Sequence, residues 1–513
     1  MTLLNGLTGE EVNMGVDDRQ GFRIKEGFAL IVLVIGGLIA ILWLTNAPKE
    51  SPLPSDMVSL LQPTIEVEST VGPERTEGEA TAWNNARKLT VDGRGWVHVV
   101  YQYDYGPGGS DRIRYALSSD GRSWTLEQEW VGRYPAIAAD AQDRVYVVHV
   151  ERTVEGDRLW LRRRASDGGW TTRMLVEAEP RSIFYPTLAA GLNALHVAWE
   201  SHVAGKHTLY YLALPLEADL ETAELAIEEV VSGEQGLYFA SIAVDGQGRV
   251  YLAWEVEVDP VRHQIDAAVR TDSGGWYVYQ DVSAGVENAL YPFIDAAPDG
   301  RTRVVFVSHG EGLSSAIYTS TYSDGSWKLP QLMVREAESE QPVFSVPILA
   351  FPVSENDYVL WGHTVPAGCG TGPLYWSREA GGRWTEPEPL VGSFASFPHI
   401  VERPAGTLHL LWTDRKTEEL RAFSVKYMRL QMPQVKKHSL SCIRMLPCPY
   451  GTFRKFSHSG QTAPLRLLSL QPPRAISFPR SRPSRVSGKA STPRRMDLGA
   501  DNSTAISIPI RVS

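Results

Sequence analysis

"FASIAVDGQGRVYLAW", residues 239–254, sets two short apolar runs around a Gly-rich turn. Runs of this length and composition, bounded by Asp and Gly, read as a pair of β-strands. The second run, "VYLAW" (250–254), has six counterparts: "VHVVY" (97–101), "VYVVH" (145–149), "LHVAW" (195–199), "VVFVS" (304–308), "DYVLW" (357–361) and "LHLLW" (408–412). Their starts are 48, 50, 55, 54, 53 and 51 residues apart. Seven units at a period near 52 are the mark of a repeat architecture.

Each unit has the same interior. A lead-in such as "YPAIAAD" (134–140) or "YPTLAAG" (185–191) comes before the aligned run, and a third run such as "IRYALS" (113–118) or "LWLRRR" (159–164) follows it. A Ser-Asp-Gly turn then closes at Trp: "SSDGRSW" (118–124), "ASDGGW" (165–170), "TDSGGW" (271–276), "YSDGSW" (322–327) and "REAGGRW" (378–384). The Trp opens a fourth run, as in "WTLEQEWV" (124–131). Four strands make a sheet with two apolar faces, which cannot bury a core alone. Seven such sheets set radially bury face on face. The fold class expected is all-β, a seven-bladed β-propeller of four-stranded blades over 64–430. Each turn Trp is expected to pack between neighbouring blades. The seventh unit ends near "LRAFSVKYMRL" (420–430) after three strands, so "TIEVESTV" (64–71) is expected to complete the last blade and close the ring.

The chain has 513 residues and a formal charge of −10, unevenly spread. Residues 431–513 hold 14 of the 50 Lys and Arg but only two of the 60 acids, a net of +12, which leaves −22 on 1–430. An acidic body disfavours nucleic acid, whose phosphates need clustered Lys and Arg. The body's single cysteine, Cys369, allows it no internal disulfide. The tail 431–513, rich in Pro and Ser, reads as disordered and basic, or as translation in another frame.

"GFALIVLVIGGLIAILWLTNAP" (27–48) carries no charge over 22 residues, enough for one transmembrane helix. Arg19, Arg23 and Lys25 precede it, which places segment 1–26 in the cytoplasm and the body outside the cell membrane. Residues 49–63 read as a stalk.

In a propeller, the loop before the first strand and the loop after the second lie on one face, around the central channel. At those positions the lead-ins supply Arg133, Tyr134, Tyr185, Tyr238, Tyr291 and Phe397. The second-strand exits supply Tyr103, Asp104, His149, Glu151, Glu200, His202, Glu255, Glu257, His309, His363, Asp414 and Arg415. Aromatic faces beside carboxylates and imidazoles suit a polar ligand such as a sugar, or a protein partner at the channel mouth. No His or Cys spacing reads as a metal site, and no cofactor is expected.

The Ser-Asp-Gly-Trp turn resembles the Asp-box of sialidase-like propellers, roughly Ser-x-Asp-x-Gly-x-x-Trp. "SSDGRSW" is one residue short of that pattern, and "REAGGRW" lacks its Asp. The resemblance implies the propeller fold. For an active member it further implies three arginines on the substrate carboxylate, a Tyr–Glu nucleophile pair and an Asp acid/base. The nearest stretch to the family's Arg-Ile-Pro motif is Arg133-Tyr134-Pro135. The resulting expectation is a ligand-binding or interaction module, with a sialidase-like glycoside hydrolase as the alternative.

Overall fold

The computed structural model describes residues 63–432, apart from 73–79, 83–84, 106–110, 272, 310–314, 336–347, 351–356, 363–371, 381 and 416–422. Segment 1–26, the apolar run 27–48, the stalk up to residue 62 and the tail beyond 432 lie outside the described residues. Among the described residues no helix is long and apolar enough to cross a membrane.

Six antiparallel sheets follow one another along the chain. The first joins Leu89–Val91, Val97–Tyr105, Asp111–Ser118 and Thr125–Val131. The second joins Arg133–Ala139, Val145–Arg152, Asp157–Arg164 and Trp170–Ala178, and the third Ile183–Ala190, Ala194–Val203, Lys206–Pro215 and Ile227–Gly233. The fourth joins Gly236–Val244, Val250–Asp259, Arg262–Arg270 and Trp276–Tyr279. The fifth begins with Ala289–Ala296, Thr302–His309 and Ser315–Ser323 and ends in two short strands, Ser326–Trp327 and Gln331–Arg335.

The sixth sheet has eight strands: two four-stranded units share one long strand, Glu388–Glu402, which makes seven, and the short Arg383–Trp384 pairs with Gly372–Ala380 as the eighth. Its first half pairs with Gly372–Ala380, and its second half with Thr407–Arg415. Beyond Thr407–Arg415 come Phe423–Gln431 and finally Thr64–Thr70, paired antiparallel from Thr64↔Gln431 to Thr70↔Lys426. The N-terminal strand thus supplies the outer edge of the last sheet, as the alternating run at 64–71 predicts. Val67 and Val71 are buried there with Tyr101, Leu411 and Tyr427.

The arrangement is propeller-like. A cavity of about 430 Å³ is lined by the first strands of the first five sheets and by the shared strand of the sixth, through residues such as Val91, Ala139, Ala190, Val244, Ala296 and Val401. The core lies between adjacent sheets. Leu209 and Tyr211 of the third, for instance, pack on Ile242, Leu252 and Trp254 of the fourth.

The Ser-Asp-Gly stretch is a tight turn between third and fourth strands. Gly121 adopts φ +73°, and a Cβ there would come within 2.6 Å of the Tyr427 ring, so two constraints select glycine. Asp120 Oδ1 accepts from the Arg122 and Ser123 amides at 2.7 and 2.8 Å, and these N–H groups pull its pKa down to about 2. The Trp that follows lies edge-on to a tyrosine of the preceding sheet. Trp124 meets Tyr427 at 5.2 Å, Trp170 meets Tyr115 at 4.9 Å and Trp276 meets Tyr211 at 4.9 Å. These indoles are half-buried. Trp276→Ala is therefore expected to cost about 2–3 kcal/mol, below the range for a wholly buried aromatic. Urea unfolding checks this, and an unchanged midpoint would remove the indole from the inter-sheet packing.

Candidate functional site

The mouth is the end where first strands begin and second strands finish. In five of the seven repeats the first strand begins with a bulge in which two residues oppose one. Tyr134-Pro135, Tyr185-Pro186, Phe239-Ala240, Tyr291-Pro292 and Phe397-Pro398 occupy these bulges. The aromatic residue of each has φ between 45° and 56°. That region is uncommon for a bulky side chain, so the surroundings must hold it. The rings form a chain around the axis: Tyr134–Tyr185, Tyr185–Phe239 and Phe239–Tyr291 centroids are 5.0, 4.9 and 5.0 Å apart.

Two carboxylates brace the bulges from the neighbouring sheet. Glu200 Oε1 accepts from the Ala240 amide at 2.8 Å, and Glu255 Oε2 from the Tyr291 amide at 2.9 Å. Glu200 is wholly buried, and burial, with Glu255 nearby, holds its carboxyl well above the usual range. Asn85 Nδ2 donates to Pro292 O at 2.6 Å, and Arg87 pairs with Asp295 at 2.6 Å, both linking the first and fifth sheets. The cavity lies toward the far ends of the first strands. A separate set of polar and aromatic groups lies at the mouth between the third and fourth sheets.

There Phe184, His202, His207 and Tyr238 form one aromatic surface, all half-exposed. His202 stacks on Phe184 at 4.6 Å and lies 4.3 Å from His207. Tyr238 sits edge-on to both imidazoles, at 5.5 and 5.6 Å. The Tyr238 hydroxyl donates to Glu257 Oε2 at 3.0 Å. Burial, helped by that carboxylate, pushes the phenol up to about 12. His202 Nε2 donates to the Leu237 carbonyl at 3.1 Å, which leaves Nδ1 as its basic nitrogen. Burial lowers the pKa of both imidazoles, and His202 lowers that of His207 further. Both are neutral at pH 7. On the next strand His263 Nδ1 lies 2.8 Å from Glu255 Oε1, a contact that raises the His263 pKa.

The structure scatters the other residues singled out in the sequence. His149 is wholly buried, accepts from Arg162 Nε at 2.8 Å and stacks on Trp130, so it is a packing residue rather than a mouth residue. Arg133 stands 3.3 Å from Asp111 and over the Tyr134 ring. Glu151 accepts from Trp160 Nε1, His309 Nδ1 meets Ser315 Oγ, and Tyr103 lies under the Arg114 guanidinium. Asp414 is half-buried in Thr407–Arg415. The Asp104 and Arg415 side chains and the whole of His363 lie outside the described residues. Among the described residues no three His, Cys, Asp or Glu side chains gather to hold a metal.

Phe239, not Tyr238, takes the bulge position of the fourth sheet. The alignment of "FASIAVD" with "YPTLAAG" carries that signal, because Phe239 falls opposite Tyr185. Tyr238 is thereby freed to face the mouth. Phe184, His207 and His263 carried no repeat signal.

No protein-family model and no curated protein matches the chain. Solved structures resemble it in fold. An ulvan lyase of polysaccharide lyase family PL25, bound to its -[GlcA(1-4)Rha3S]- ligand, is 10% identical, with 74% of this chain and 99% of that chain covered at a TM-score of 0.46. An α-L-arabinanase of Penicillium chrysogenum complexed with arabinobiose is 13% identical, covering 71% and 98% at 0.41. The endosialidase of phage phi92 is 9% identical, covering 77% and 72% at 0.42. At such identities and TM-scores, the chemistry has to be read from this chain's own residues.

Proposed function

We propose that this protein is a membrane-anchored, extracytoplasmic propeller that binds carbohydrate at the mouth between its third and fourth sheets. Counting the eight-stranded sheet as two blades sharing Glu388–Glu402 makes seven blades, in step with the seven sequence units. The observation carrying the reading is the half-exposed surface of Phe184, His202, His207 and Tyr238, edged by Glu257. Ring faces take the apolar face of a sugar, and the phenol, imidazole and carboxylate edges take its hydroxyls. A glycan array probed with the chain tests it. Tyr238→Ala is expected to weaken binding by about tenfold or more, since it removes both a ring face and a hydrogen-bonding group. Unchanged binding would move the site elsewhere. The anchor is the uncharged run 27–48, oriented by Arg19, Arg23 and Lys25. Release of the chain by alkaline carbonate would overturn it.

A sialidase-like hydrolase is the second reading, and the Tyr238–Glu257 bond favours it as a Tyr–Glu pair. Against it, Arg133 is engaged with Asp111 and Tyr134. A fluorogenic sialoside assay separates the two.

A further inference from the structure

We propose that the His202–His207–Tyr238–Glu257 cluster cleaves the polymer it binds, by β-elimination at a uronic acid residue; this rests on the carbohydrate-binding reading of the same surface. Hydrolysis of a glycoside ordinarily needs two carboxyl groups facing the scissile bond, one as acid and one as base or nucleophile. The carboxylates here are committed. Glu200 is wholly buried against the Ala240 amide, Glu255 holds the Tyr291 amide and His263, and Glu257 accepts a hydrogen bond from the Tyr238 hydroxyl. Two neutral imidazoles and one protonated phenol are half-exposed and in ring contact, and the half-exposed Glu257 is held on the phenol. That is a base and an acid, with a single carboxylate, Glu257, bonded to the acid.

Such a pair suits removal of a carbon-bound proton with loss of an oxygen leaving group on the adjacent carbon. A neutral sugar has no C–H acidic enough. A uronic acid has one at C5, next to its carboxylate. His202 is the base, because its Nε2–H is fixed on the Leu237 carbonyl and Nδ1 keeps the lone pair. Nδ1 takes the C5 proton, and the C5–H electron pair forms the C4–C5 double bond. The C4–O bond breaks, and the departing oxygen takes the phenolic proton of Tyr238. The products are one chain end with an unsaturated uronate and another with a free hydroxyl. The imidazolium then returns its proton to the phenolate, directly or through His207, so no oxidant or second reactant is consumed. Arg152, paired with Asp157 at 3.1 Å, stands over the Phe184 ring on which His202 stacks, and so brings positive charge toward the substrate carboxylate.

The test uses the full-length chain in detergent with polygalacturonate, alginate and hyaluronan, read by absorbance of the conjugated double bond in the near ultraviolet and by reducing ends. The expected result is a rise in both with at least one polymer. Tyr238→Phe and His202→Asn should each lower the rate roughly 100-fold or more. Both keep a planar group in place, and an unchanged melting temperature shows the fold intact. The rate should also fall on acidification as the imidazoles protonate, at a pH below the usual imidazole range. Burial sets that midpoint low for both rings; Glu257, which faces His207, opposes the lowering there, and Glu200 lies 3.4 Å from His202 Nε2. New reducing ends without absorbance would mean hydrolysis and overturn the proposal. Binding without cleavage would overturn it too and leave the carbohydrate reading standing, whereas neither binding nor cleavage of any polymer would sink both.

Discussion

Acidification from pH 7 to 4.5 is expected to remove most of the folding stability, because several imidazoles are buried neutral. His196 and His409 are held at about 4 and His399 at about 3, each chiefly by burial. Two of them bond a tyrosine hydroxyl, His196 to Tyr211 and His409 to Tyr427, both at 2.7 Å, and His399 Nε2 donates to the Thr81 carbonyl at 2.8 Å. A lowered folded-state value means that the unfolded chain takes up the proton first. Stability is therefore intact above about 6.5 and falls as pH drops toward the folded-state values. By pH 4.5 each group contributes a loss of roughly 2–3 kcal/mol, and together they rival a typical domain's total stability. Glu200 and Asp357 act in the opposite sense, since burial raises both and the folded state keeps their protons more readily. The expected sign of the profile is that of the three histidines. Urea titrations at pH 7, 5.5 and 4.5 give the profile, and His196→Asn with His409→Asn should flatten it. A midpoint constant from pH 7 to 4.5 would show that these rings are not held neutral by the fold.

Removing the N-terminal strand is expected to cost on the order of 5 kcal/mol or more and to destroy the single cooperative transition. Thr64–Thr70 covers the edge of Phe423–Gln431, whose backbone groups would otherwise be exposed. It also carries Val67 and Val71 into the interface between the last and first sheets, each worth about 1.5–3 kcal/mol of burial. Ser69 Oγ takes the Trp124 indole N–H at 2.9 Å and donates to Gly121 O at 2.7 Å, and Glu66 pairs with Arg429 at 2.9 Å. One strand thus ties the end of the ring to its first Trp turn. A chain beginning at Gly72 should melt broadly or not fold. A chain ending at Met432, whose amide already bonds Gly406 O at 2.7 Å, should melt like the full chain. The reverse outcome would make the tail, not residues 64–70, the closing element.

The amino-acid sequence by itself determined the architecture of this protein. A period near 52 and strand-length apolar runs specify repeated four-stranded sheets, and a unit one strand short, with a spare alternating run at 64–71, specifies the closure. These are local properties. Alternation decides which side of a strand is apolar, and Asp-Gly pairs decide where it turns, whatever the neighbours do. Which equivalent position becomes a site was decided by tertiary structure. His149 and Trp254 occupy the same place in their units, as do Val150 and Glu255; all four are buried, and nothing local says that Glu255 will hold the Tyr291 amide of the next sheet. Tyr238 faces His202 and His207 because Phe239, beside it, turns into the bulge, and because a different unit delivers the two imidazoles. Asn85 and Arg87 reach Pro292 and Asp295, more than 200 residues away, and so tie the first sheet to the fifth. Exposure and protonation state depend on these long-range contacts, since each is set by what another sheet places against the side chain.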